Sequence, residues 1–102
     1  MEKNTQAKRL VYALYNLVNQ HADGEYNDIL GVLLKVYKKL DKVKDPAPLI
    51  NRLVNYLYFT GFTKRLAFAD AELEIIKALG DIGKTAGNNG VYRSDYGNHD
   101  QF

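Results

Sequence analysis

Cysteine and tryptophan are absent from this chain, and proline and histidine occur only twice each. Without cysteine, neither disulfide staples nor thiolate metal sites are available. Stability must then come from a packed core, which favours a helical bundle over a stapled scaffold. The same absence is compatible with a cytosolic address. No run of about 18 apolar residues occurs, so no transmembrane helix is expected. The N-terminal MEKNTQAKR has no apolar stretch behind it of the kind a secretory signal needs. Charge of one sign is also scarce. Fourteen Lys and Arg face twelve Asp and Glu, a net +2 that falls short of a nucleic-acid footprint. The remainder, 46% apolar and 25% charged over 102 residues, is that of one ordinary globular domain. One count is high: eight tyrosines, a residue that interfaces favour.

What is present is helical periodicity. Ala7, Leu10, Val11, Leu14, Leu17 and Val18 share one side of a helix expected at about 5–21. A break around Gly24 precedes a second helix, about 26–44, with Tyr26, Ile29, Leu33, Val36, Tyr37 and Leu40 inside. Lys35, Lys38, Lys39 and Lys42 take its opposite face. Asp45 can cap a third helix, 46–62, which Pro46 is suited to begin. Asp70 reads as the N-cap of a fourth, 70–86, apolar over more than half its circumference and so buried on more than one side. Gly80 and Gly83 within it suggest close approach of another backbone.

The third helix poses a problem. Leu49, Ile50, Leu53, Val54, Leu57 and Gly61 make a normal core stripe, but Tyr58, Phe59 and Phe62 stand on the supposedly wet face. The segment 88–102, with Val91, Tyr92, Tyr96 and Phe102, is too aromatic for a solvated tail. Each could cover the other. The expected fold is an all-α antiparallel four-helix bundle with the C-terminal segment docked over helices three and four.

Signals for catalysis are missing. There is no phosphate loop, nucleophile elbow or paired-histidine helix motif, so neither an enzyme nor a cofactor or metal is expected. His21 projects onto the apolar side near the end of the first helix and reads as structural. The sharper alternative, a phosphoaccepting histidine in a small regulatory bundle, would require exposure at mid-helix. His99 beside Asp100 lacks further ligands for a metal. The lysine face of the second helix reads as a solvated surface, with weak attraction to an anionic membrane as the alternative. Arg52, Lys64, Arg65, Lys84 and Arg93, mixed with Tyr58, Tyr92 and Tyr96, resemble a partner-binding interface in the C-terminal half. Asp95 could instead pair internally with Arg52 or Arg93.

Two stretches carry a resemblance. DPAPLINRLVNYLYFT, residues 45–60, and IGKTAGNNGVYRSDYG, residues 82–97, are similar to the immunity proteins of pediocin-like (class IIa) bacteriocins, enterocin A immunity type. The likeness in length and helix order spans essentially the whole chain. It implies a cytoplasmic, monomeric four-helix bundle, in part at the inner face of the membrane, that protects a producing cell from its own peptide. It further implies that the C-terminal half decides which bacteriocin is tolerated. The implied partner is the bacteriocin-occupied membrane part of the mannose phosphotransferase permease, gripped from inside.

Overall fold

In the computed structural model, residues 2–21 and 24–84 are described, and they form four α-helices without a strand. The helices are α1 (Glu2–Val18), α2 (Asn27–Lys39), α3 (Ala47–Lys64) and α4 (Asp70–Gly83). A single 3₁₀ turn, Gly24–Tyr26, leads into α2. The apolar spacing read from the sequence is what buries each one: Ala7, Val11, Leu14 and Val18 of α1 are essentially inaccessible, as are Ile29, Leu33, Val36 and Leu40 in and just after α2.

The ends differ from expectation. α1 begins three residues earlier than the expected start and stops at Val18, leaving His21 beyond the helix. α2 stops at Lys39, not Lys44. Here the chain turns early because Asn4 of α1 donates from Nδ2 to the carbonyls of Leu40 (3.0 Å) and Val43 (2.9 Å). These carbonyls lie at and beyond the helix end, where intrahelical partners run out. The α2–α3 connection is therefore seven residues, 40–46, rather than the single residue, 45, between the expected helices. Pro46, not Asp45, is the N-cap of α3, which starts at Ala47 and runs two residues past its expected end; Asp45, one residue earlier, accepts the Ala47 N–H on Oδ1 at 3.1 Å. Asp70 is not the N-cap of α4 but its first residue; Ala69 precedes it in extended conformation. Thr85 and Ala86, expected in α4, and the whole segment expected to dock lie outside the described residues.

Four contacts define the topology, each joining the start of one helix to the end of another. Asn4 reaches the end of α2. Lys64, at the end of α3, meets Asp28 at the start of α2 at 3.0 Å. Gly83, at the end of α4, lies on Asn51 near the start of α3. His21, beyond α1, bonds Glu72 at the start of α4. Neighbouring helices therefore alternate in direction around a closed ring, an antiparallel four-helix bundle. Packing is most extensive between α3 and α4, and least between α2 and α3.

The expected close approach at α4 is real at one glycine. A Cβ on Gly83 would stand 2.9 Å from the Asn51 Cα, whereas one on Gly80 would meet only a Val54 methyl at 4.0 Å. Leu53, Leu57, Ile76 and Leu79 fill the interior beside it. Tyr56 and Thr60, outside the apolar stripe, are buried as well. They satisfy each other by a side-chain hydrogen bond, and burial pushes the Tyr56 hydroxyl above its ordinary value of 10.0.

Candidate interaction face

The outward side of α3 remains aromatic in the folded chain. Tyr58 is 51% exposed, Phe59 45% and Phe62 84%. Helical geometry explains the grouping: 58, 59 and 62 are related by steps of one, three and four residues and share a face. Exposing a phenylalanine this far forgoes burial that would contribute about 2 kcal/mol. On neighbouring α4, Leu73 is also 40% exposed. Large apolar side chains massed on one surface mark an interaction site more often than a solvent face.

The basic residues expected here do not converge. Arg52 and Lys84 sit beside the Asn51–Gly83 contact, at one end of the α3–α4 pair. Lys64 and Arg65 are at the other end of α3, about 18 Å away at 1.5 Å per residue. Tyr58 lies between them. Arg52 is half-buried, and its Nε is enclosed without a hydrogen-bond partner among the described residues. Lys64 is turned toward α2, where its bond to Asp28 holds its pKa above the ordinary 10.5. Arg65 closes α3 in the left-handed region, φ 56°. Its N–H bonds back to Phe62 and that of Leu66 to Gly61. Lys84 is exposed, 3.6 Å from Asp81. Tyr92, Arg93 and Tyr96, with Asp95, His99 and Asp100, lie outside the described residues.

A second constellation fixes the end of this face. Glu72, only 2% exposed, accepts the Ala69 N–H on one oxygen at 2.7 Å and faces His21 Nε2 at 2.9 Å with the other. The His21 ring stacks on Tyr26 at 4.0 Å between centroids, 9° from parallel. The Tyr26 hydroxyl donates to the Ala67 carbonyl at 2.7 Å, and its ring meets Phe68 edge-on. Phe68 in turn occupies the space a side chain at Gly61 would need, 2.9 Å away. One chain of contacts thus ties α1, the 3₁₀ turn, the 65–69 loop and the last turns of α3. The structural role expected of His21 agrees with this placement. Glu72 was not anticipated as a core residue. The usable signal is its position three residues after Ala69, where a glutamate side chain reaches back to the N-cap amide.

Nothing in this geometry assembles a reaction centre. Among the described residues no group of three or more His, Asp or Glu could hold a metal ion, and no helix is long and apolar enough to cross a membrane.

The comparisons with known proteins agree. A sequence model of the bacteriocin immunity protein family matches residues 3–84. The probable leucocin-A immunity protein of Leuconostoc gelidum is 45% identical over 86 residues, 84% of this chain and 76% of that protein. The probable mesentericin-Y105 immunity protein of Leuconostoc mesenteroides is 43% identical over 97 residues, 94% and 86% of the two chains. Among solved structures, the crystal structure of EntA-im is 52% identical and superposes with a TM-score of 0.72. It covers 76% of this chain and 99% of its own. EntA-im is a bacterial immunity protein that confers immunity to the pediocin-like bacteriocin enterocin A. These relatives are immunity proteins rather than enzymes. With the family's pattern running through all four helices, this chain belongs to the bacteriocin immunity protein family.

Proposed function

We propose that this chain protects its cell from a pediocin-like (class IIa) bacteriocin by binding, from the cytoplasmic side, the membrane part of the mannose permease once the bacteriocin occupies it. The observation that carries the immunity reading is the 52% identity to a protein conferring immunity to enterocin A. The surface for it is the α3 face, where Tyr58, Phe59 and Phe62 are accessible anchors. Aromatic side chains offer large contact area at low conformational cost, which suits them to hot spots. Arg52, Lys64, Arg65 and Lys84 frame that strip, and Tyr92, Arg93 and Tyr96 are assigned to the same role. No chemical step is involved; protection is stoichiometric.

The test is expression in a sensitive strain, followed by challenge with a panel of class IIa bacteriocins. Tolerance of at least one supports the reading, and sensitivity to all defeats it. Co-purification of the permease membrane subunits with the tagged chain, only when bacteriocin is added, supports the permease step. Binding of free bacteriocin in solution would support direct capture of the peptide instead. The phosphoacceptor alternative finds no support, since His21 is engaged by Glu72 and stacked on Tyr26.

A further inference from the structure

The outward seam of α3 has a spacing that selects the kind of element able to cover it. Pro48, Arg52, Asn55, Phe59 and Phe62 are separated by four, three, four and three residues. On a helix they fall within a strip about 80° wide that runs the length of α3. None of the five is buried: the first three are half-buried and the two phenylalanines exposed. An alternation of four and three is the pattern with which a second helix interdigitates at a shallow crossing angle. A strand would need a sheet edge to add to, and a helix face offers none.

Charge then selects among helices. Residues 47–64 contain no Asp or Glu, so every charged side chain on α3 is positive. Lys64 is held by Asp28. Arg52 joins no ion pair, and its enclosed Nε has no hydrogen-bond partner among the described residues. A guanidinium left without an acceptor gains most from a carboxylate, to which its planar fork donates. A second copy of this chain supplies none, since its own α3 would bring only cations. Phe59 and Phe62 lie about 10 and 15 Å along the axis from Arg52. We infer that the α3 seam receives an amphipathic helix of its partner, with a carboxylate on Arg52 and apolar side chains over Phe59 and Phe62. The incoming helix runs antiparallel to α3, which sets its negative end beside Arg52 and the positive end of α3. Asn55, between the charge and the rings, fixes the register as a single polar seam residue does in a coiled coil. This inference rests on α3 being the binding face and adds the shape and charge of what binds there.

Fluorescence anisotropy of the full-length chain with a labelled helix-forming peptide as long as α3, 18 residues, is the test. The peptide carries two leucines and, C-terminal to them, one glutamate, at the spacing of Phe62, Phe59 and Arg52 read backwards. A second peptide has glutamine in place of the glutamate. The parent should bind the glutamate peptide about tenfold more tightly than the glutamine one. Arg52→Gln should erase that difference, and Phe62→Ser should weaken both peptides about tenfold. Lys38→Gln, on α2, should bind as the parent does. A circular dichroism spectrum checks that the helices persist. Should Arg52→Gln fail to fold, the parent's preference between the two peptides still decides. Equal binding of both by the parent, or a preference that survives Arg52→Gln, overturns the carboxylate. No binding of either, or binding untouched by Phe62→Ser, overturns the helix. A peptide of reversed order that binds equally well overturns the antiparallel direction. No bacteriocin takes part, so these failures are distinct from failure of the immunity reading, which the tolerance panel decides.

Discussion

Glu72 holds two elements together through its two oxygens, one on the Ala69 amide and one on His21. Replacing it with alanine removes the capping acceptor of the exposed Ala69 amide and the partner of half-buried His21, a loss of about 1–2 kcal/mol. Glu72→Gln keeps an acceptor for Ala69 and should lose less. Urea unfolding of the two variants checks the order. The glycines give a contrast of sign. Gly83→Ala must push a Cβ against the Asn51 backbone and should destabilise by about 1–3 kcal/mol. Gly31→Ala meets nothing within 4 Å on an exposed helical site and should stabilise by up to about 1 kcal/mol. Thermal melts of both variants separate the two predictions. Gly83 was legible beforehand because a glycine in a helix apolar over a wide arc needs a reason. Glu72 was legible only in part: its place three residues after Ala69 signals the amide, but nothing local signals the imidazole of His21.

At the level of helices, periodicity identified all four and most of their buried sides. The ends were less legible, because tertiary contacts fix them. α2 stops early under the reach of Asn4, a residue on another helix, and His21 leaves α1 to meet Glu72. The outward aromatics of α3 were legible as an anomaly, and they remain exposed in the fold. Ionisation links the helices too. Lys8 is held protonated by Asp41 across the α1–α2 side, Lys64 by Asp28 across α2–α3, and Tyr56 is held neutral by burial. In all three the folded pKa lies above the unfolded one. The folded chain thus binds protons more tightly, and stability must fall as pH rises through that range. Their contribution is fully present below about pH 10 and lost above it. The urea midpoint should therefore decline as pH passes 10, and Tyr56→Phe should make that decline shallower. An unchanged slope in Tyr56→Phe would remove Tyr56 from the explanation.

The whole molecule presents two faces of different chemistry, aromatic along α3 and tyrosine–lysine between α1 and α2. The bundle was legible from the four helical periods, and the immunity family from residues 45–60 and 82–97. Its surface division was harder to see. The basic residues Arg52, Lys64, Arg65 and Lys84 are near in sequence to one half of the bundle but divide between its two ends. Only the α3 aromatics concentrate, so they are the residues on which protection should depend. Phe62→Ser removes a side chain that is 84% exposed and should shift stability by less than about 0.5 kcal/mol. Combined with Tyr58→Ser it should leave the folded protein intact and abolish tolerance.

The most direct measurement is bacteriocin tolerance of a sensitive strain expressing the parent chain or the Tyr58→Ser, Phe62→Ser variant at matched protein levels. The account predicts survival on at least one class IIa bacteriocin with the parent and full sensitivity with the variant. Equal protection by both would contradict it.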